Sequence, residues 1–232
     1  MDLKQYYNDL ADSEPYAHSF DPVRFSHEMR SFQKIKSILK RINSKNLPDL
    51  ECGEGQLFGN LVDFNFNYVV IDISNKRIEH AKNKYMDFNN ATFIMGSAIE
   101  IPNIFSSFDV VVCSELVEHV PSPEAVFKQI SSVLNPGGYL ILSVLNNEEI
   151  NYQMCVHCHK MAHWSGHLHS FSKKSLISFL IQYDLETLSF TEIGNGILNG
   201  NLFPLFKKSL PYYLWNILDQ WFKKLTKNRW IV

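Results

Sequence analysis

Between residues 47 and 145 the chain alternates short apolar runs with longer amphipathic ones, and this alternation limits the folds open to it. "NYVVID", "ATFIMG", "FDVVVCS" and "YLILSVL" are rich in β-branched and aliphatic residues and read as strands buried on both faces. A shorter strand is expected at Leu47–Leu50. Between them lie a helix start near Gln56, the segment "SNKRIEHAKNKYMDF" with Ser74 at its N-cap, and "SPEAVFKQISSVLN" with Pro123 in its first turn. Strand–helix alternation predicts parallel βαβ units with right-handed crossovers. "NPGG" reads as a breaker before the fifth strand. Upstream, Phe25, Met29, Phe32, Ile35, Ile38, Leu39 and Ile42 recur at helical spacing over about residues 24–43. Downstream, "SKKSLISFLIQ" predicts a further helix, "LETLSFTEIG" a sixth strand and "RWIV" a last, antiparallel edge strand.

The first strand runs into "DLECGEG" at residues 49–55, a glycine turn placed where an open α/β sheet binds its ligand, at the carboxyl ends of the strands. Gly53 and Gly55 let the backbone approach a ligand closely. Asp72 closes the second strand 17 residues past Gly55, near the spacing at which an acid meets ribose hydroxyls; a turn or N-cap aspartate is the other reading.

The 232 residues suit one medium α/β domain. A net charge of −2 argues against a broad basic surface for nucleic acid. The first twenty residues are polar and acidic, with no readable signal peptide, and no run of 18 apolar residues occurs, so the expected location is cytoplasmic. Of the four cysteines, Cys52 and Cys113 read as core thiols, whereas Cys155 and Cys158 form a C-x2-C.

In this order and spacing, "DLECGEG", "VVIDIS", "FIMGSA", "FDVVVCSELVEHV" and "LNPGGYLILSV" resemble class I S-adenosylmethionine (SAM)-dependent methyltransferases over about residues 24–193. "GHLHSFSKKSL" resembles the bacterial members that act on small molecules, sugars or quinones. The resemblance implies a Rossmann-like, doubly wound, seven-stranded α/β sheet, mostly parallel, with the seventh strand antiparallel between the fifth and sixth. It implies one domain: an N-terminal helical region at 1–45, a SAM-binding core at 46–145, a Cys/His insert at 146–171, and a helix, strand six, a helical lid and strand seven over 172–232. The cofactor residues it implies are Asp49, Glu51, Gly53, Gly55, Asp72, Ile73, Ser97, Ala98, Ser114 and Glu115. Two depart from the family pattern. Glu51 stands where the first glycine is expected, adding bulk and charge beside the methionine end of SAM. Ser97 stands where an Asp usually meets the adenine amino group. A tolerated substitution with weaker cofactor affinity and an inactive, methyltransferase-like binding protein both fit Glu51.

Two groups of residues suggest metals. Cys155, Cys158, His163 and His167 give C-x2-C-x4-H-x3-H, a spacing able to wrap a structural Zn²⁺, with His157, His159 and His169 as competing ligands. Glu115, Glu118 and His119 share one face of a helical turn in an E-x-x-E-H that is similar to those of metal-using catechol and RNA 2′-O-methyltransferases, with His169 the nearest match to a further ligand for Mg²⁺. The plainer reading is that these residues shape the acceptor pocket, with His119 and Glu118 as the catalytic pair and His119 as general base. Residues 197–227 are aromatic and basic and read either as a lid over the acceptor or as a helix for an anionic membrane surface. The expected activity is O-methylation of a small molecule, sugar or lipid-linked intermediate. A non-catalytic binding protein and a metal-dependent RNA 2′-O-methyltransferase are the alternatives.

Overall fold

The computed structural model describes residues 3–13, 22–42, 44–50, 53–100, 107–154, 159, 161–163, 166–195, 214, 217–218 and 228–231. Its central strands are β1 (Asn46–Leu50), β2 (Asn67–Asp72), β3 (Ala91–Met95), β4 (Phe108–Ser114) and β5 (Leu134–Leu145). They lie in the order β3-β2-β1-β4-β5, every neighbouring pair parallel. Chain order reverses between β1 and β4, so the crevice at their carboxyl ends is the switch point at which such sheets take ligands.

Helices α3 (Gln56–Leu61), α4 (Asn75–Lys84) and α5 (Pro123–Val133) make the crossovers, while α1 (Leu3–Ser13) and α2 (Pro22–Leu39) precede the sheet. Alternation along each strand feeds two cores. Val69 and Ile71 of β2, with Val111 and Cys113 of β4, pack toward Val126, Phe127 and Ile130 of α5. Tyr68 and Val70, with Val110 and Val112, pack toward Ile35 and Leu39 of α2, Phe58 of α3 and Ile78 of α4. Ser74 caps α4, its Oγ accepting from Arg77 N at 3.3 Å, and Ser122 caps α5 in the same way through Ala125 N.

After β5 come a separate antiparallel hairpin of β6 (Tyr152–Met154) and β7 (Met161–His163), then α6 (Lys173–Ile181), β8 (Glu192–Asn195) and β9 (Asn228–Ile231). β9 pairs antiparallel with both β5 and β8. It is therefore not the edge strand that "RWIV" suggested; β8 holds that place, and it is shorter than "LETLSFTEIG" predicts.

One other expectation needs correction. "NPGG" does not break the chain ahead of β5 but lies within it, where the register with β4 jumps from Phe108↔Leu134 to Val110↔Tyr139. Gly138 fits this bulge because a Cβ there would stand 2.9 Å from the Asn135 carbonyl and 3.1 Å from that of Phe108. Within the N-terminal helical region expected at 1–45, residues 3–13 form a helix, α1, with Leu3, Tyr6, Tyr7, Leu10 and Ala11 at helical spacing. Asn8 Oδ1 accepts from Ser74 Oγ at 2.8 Å, Asp12 pairs with Lys76, and Arg77 lies 5.4 Å over the Tyr7 ring. These contacts are polar and aromatic. Among the described residues no helix is long and apolar enough to cross a membrane.

Candidate functional site

The glycine turn follows β1 directly. Glu51 and Cys52 lie outside the described residues. Gly53 and Gly55 take left-handed φ of 57° and 74°, and Gly55 leads into α3. Tyr85 at the end of α4 supports the turn from below. Its hydroxyl donates to the Gly55 carbonyl at 2.8 Å, and its ring leaves no room for a side chain, since a Cβ on Gly55 would stand 2.9 Å from Tyr85 Cε2.

Asp72 joins the turn to β2. Its Oδ2 accepts from Gly53 N at 2.9 Å and its Oδ1 from Ser74 N at 2.8 Å. Burial pushes its pKa up, opposed by the Arg77 charge and the two backbone donors. Ile73 beside it is half-buried. Asp49, near the end of β1, is buried next to the Tyr68 hydroxyl at 3.5 Å, and burial pushes its pKa up to about 8. Beyond β3, Ser97 is half-buried and its Oγ accepts from Ile99 N at 3.4 Å. Ala98 is buried in the core that includes Val126, Phe127 and Ile130 of α5.

A second group of side chains gathers at the carboxyl ends of β4 and β5. Ser114 and Ser143 share a hydrogen bond of 2.7 Å between hydroxyls. Glu115 holds φ at 55°, a conformation a non-glycine residue rarely takes, with its N–H donating to the Ser143 carbonyl at 3.0 Å. Its carboxyl lies inside the protein near that of Glu118. Burial first, then the Glu118 charge, raises its pKa well above the ordinary range. Burial, with the Glu148 charge adding to it, pushes Glu118 up to about 7. The Glu118 carbonyl accepts from Leu168 N at 2.7 Å, which ties the far end of the insert to this turn.

That tie brings His167, rather than His169, to His119. The two imidazoles meet edge-on with centroids 4.5 Å apart. His167 is buried, and its Nδ1 lies 2.5 Å from a Glu148 carboxylate oxygen. His169 turns away, its Nε2 3.0 Å from the Val120 carbonyl. Tyr7 of α1 stands edge-on to His119 at 6.5 Å, so the ring that covers Arg77 on the α4 side also reaches this cluster. α1 thus spans both halves of one crevice.

Of the zinc quartet, only His167 has a described side chain. Cys155 and Cys158 lie outside the described residues, only the backbone of His163 is described, and His167 is held by Glu148 and His119. The second metal set loses His169 to Val120. Among the described residues no group of three or more His, Cys, Asp or Glu is arranged to hold a metal ion. Most of 197–227, the expected lid, also lies outside the described residues. Sequence reasoning missed Glu148, Tyr7 and Tyr85. An acid just past the fifth strand, in "VLNNEE", was the available signal for Glu148.

Comparison with known proteins bears on this crevice. A ubiquinone biosynthesis O-methyltransferase of Nitrosomonas europaea is 28% identical over 141 residues, covering 58% of this chain and 55% of the relative. The chain thus spans little more than half the length of that curated relative. The fold is similar to a putative sarcosine dimethylglycine methyltransferase of Galdieria sulphuraria (TM-score 0.61, 16% identity, 88% of this chain and 83% of the other). It is also similar to Haemonchus contortus phosphoethanolamine N-methyltransferase 2, solved in complex with S-adenosyl-L-methionine (TM-score 0.61, 15% identity, 97% and 58%). The family model described as "Methyltransferase domain" matches residues 12–189, which take in both halves of the crevice from the glycine turn to His167. The chain belongs to that methyltransferase-domain family.

Proposed function

We propose that the protein transfers the methyl group of SAM to a hydroxyl oxygen of a small acceptor of the quinone-precursor kind. The observation that carries this reading is the bond between Asp72 and Gly53, which locks an acid and a glycine turn together at the switch point of a methyltransferase-family chain. The residues fit the cofactor. Each Asp72 oxygen uses one acceptor site on a backbone N–H, and a carboxylate oxygen has two, so the same group retains capacity for a ribose diol. Gly53 and Gly55 present bare backbone, Ile73, Ser97 and the Ala98 backbone flank the adenine, and Ser114 and Glu115 lie toward the methionine end. Asp49 stands behind the sulfonium half.

SAM, when bound, supplies an electrophilic methyl on a cationic sulfur. The chain's own share is alignment of nucleophile, methyl and sulfur, and exclusion of water under α1, and such positioning is worth several kcal/mol of barrier. Glu118 and His119 border the acceptor side. The 28% identity to a ubiquinone biosynthesis O-methyltransferase supports an oxygen acceptor.

The test is calorimetry with SAM and S-adenosylhomocysteine, followed by transfer of labelled methyl to a panel of dihydroxy aromatics. Cofactor binding with no transfer to any acceptor would favour the binding-protein alternative. Loss of cofactor binding in the wild type would end the proposal. Structural zinc is proposed on Cys155, Cys158 and His163, with His157 or His159 as the fourth ligand, the cysteines lying in sequence between β6 and β7. Metal analysis of untagged protein tests it: zinc is expected to be lost in Cys158→Ser and retained in His167→Asn.

A further inference from the structure

We propose that His80 is a positioning residue for the cofactor: through the Glu54 carboxylate it holds the glycine turn in its binding shape, and it holds it harder when the ring is protonated. This rests on the cofactor reading above.

The turn has little of its own to fix it. Gly53 and Gly55 take left-handed φ of 57° and 74°, and glycine loses more conformational freedom on ordering than any other residue. The restraint comes from one side, the unit built from β2 and α4. Asp72, at the end of β2, accepts from Gly53 N at 2.9 Å, and the hydroxyl of Tyr85, just past α4, donates to the Gly55 carbonyl at 2.8 Å. The middle residue is tied to the same unit by its side chain. Glu54 Oε1 lies 3.0 Å from Nδ1 of His80, halfway along α4. Each residue of the turn thus has its own tie to one unit of the fold.

Glu54 is largely withdrawn from water, its side chain 16% exposed, while that of His80 is 51% exposed and open to protons from solvent. The Glu54 N–H donates to Gln56 Oε1 at 3.1 Å, so the residue is held at its backbone as well as at its carboxylate. With Glu54 ionised, His80 Nδ1 is the donor of the pair. A neutral imidazole gives a hydrogen bond, and an imidazolium gives a charge-assisted one, about twice as strong. An imidazole changes charge between about pH 5 and about pH 8.

The other charges near the ring are cations or are engaged elsewhere. Lys76, Arg77 and Lys84 stand at i−4, i−3 and i+4 on α4. Lys76 pairs with Asp12 of α1, Arg77 lies over the Tyr7 ring, and Lys84 lies over the Tyr85 ring. On α1, Lys4 is a further cation, and Asp9 accepts from Gln5 of its own helix. Glu79 adjoins His80 in sequence but leaves α4 on another face. Asp72 accepts from Gly53 N and Ser74 N, and neither α3 nor β3 carries a charged side chain. Among the described residues the acid in contact with His80 is therefore Glu54.

Cofactor binding selects the turn in its left-handed form, so whatever favours that form in the free chain raises affinity. Protonation of His80 does so, and affinity gains as pH falls. The pair is half exposed, which limits the gain to about two- to fivefold. Burial also raises the Asp72 and Asp49 carboxyls, and their titration bends the same profile. The His80 share is therefore a ratio between chains that keep both acids.

The experiment is calorimetry on the full chain with SAM and with S-adenosylhomocysteine, at about pH 5.5 and about pH 8, within the span of imidazole titration. His80→Gln keeps a hydrogen-bond donor without charge, and His80→Lys keeps a charge at both values. From the higher pH to the lower, wild-type affinity relative to His80→Gln should rise about two- to fivefold. His80→Lys relative to His80→Gln should stay constant. The rise should be equal for SAM, with its cationic sulfur, and for S-adenosylhomocysteine, whose sulfur is neutral, because it is exerted through the turn; a charge acting through space would weaken SAM alone. In a Glu54→Gln background the rise should vanish. A flat wild-type ratio, a change confined to one nucleoside, or a rise that survives Glu54→Gln overturns the assignment. Wild type that binds neither nucleoside at either pH overturns the cofactor reading, and the assignment with it. Circular dichroism confirms that each variant is folded, and His80→Asn replaces His80→Gln if that variant is not.

Discussion

Asp72 and Gly53, nineteen residues apart in sequence, are joined by a 2.9 Å bond from the Gly53 N–H to Asp72 Oδ2, so the end of β2 holds the turn after β1 in shape. Since Oδ1 also accepts from Ser74 N, an amide at this position must aim its NH₂ at a backbone donor. Asp72→Asn is therefore expected to lower SAM affinity at least tenfold by calorimetry. It should also destabilise the fold by about 1–3 kcal/mol in urea titration, the cost of leaving a buried donor unmatched.

The raised pKa of Asp49 sets a pH dependence. The folded chain keeps this proton up to about pH 8, whereas the unfolded chain releases it above its ordinary value of 3.8. The folded state therefore binds more protons across that window, and stability falls as pH rises from about 4 to about 8. One such group contributes at most about 1.4 kcal/mol per pH unit. Asp49→Asn should flatten the decline of the urea midpoint between pH 5 and 8. Glu118, raised to about 7, adds a slope of the same sign that remains in the variant.

Gly55→Ala meets two obstacles, a φ of 74° and a Tyr85 ring carbon 2.9 Å from the new methyl. The left-handed conformation alone costs about 1–2 kcal/mol. Moving Tyr85 also breaks its 2.8 Å bond to the Gly55 carbonyl. A drop in melting temperature and a cofactor affinity lowered at least tenfold are the expected results, read by thermal denaturation with and without SAM.

Tyr7 lies against Arg77 on one side and His119 on the other, but the contacts that hold α1 to α4 include a solvent-exposed pair, Lys76 with Asp12, worth under about 1 kcal/mol. Tyr7→Ala should accordingly leave the urea midpoint nearly unchanged. It should speed SAM dissociation several-fold in stopped-flow displacement, because the crevice loses part of its roof.

How much of this was legible depended on range. Where local chemistry decides, the reading was close. β2 and β4 occupy the runs "NYVVID" and "FDVVVCS", and Ser74 caps α4 because its hydroxyl reaches Arg77 N three residues on. Where pairing between distant residues decides, it was not. The residues of "RWIV" do not themselves state that β5 and β8 will accept it between them; the family resemblance was the one signal for such a strand. The nearness of His167 to Glu148, across 19 residues, and to His119, across 48, arises from the backbone bond of Leu168 to Glu118 rather than from any spacing. The regular spacing of the C-x2-C-x4-H-x3-H pattern drew His167 into a metal set. Its buried carboxylate partner draws it elsewhere.

β9 has a consequence for how this chain reaches its native state. It is the last of the described strands in sequence, yet it fills a gap between two others. Until it arrives, the outer margin of β5 and both margins of β8 display unsatisfied amide and carbonyl groups, the template on which nascent chains stick to one another. Completion of this part of the sheet is thus an insertion between two strands rather than an addition at a free edge.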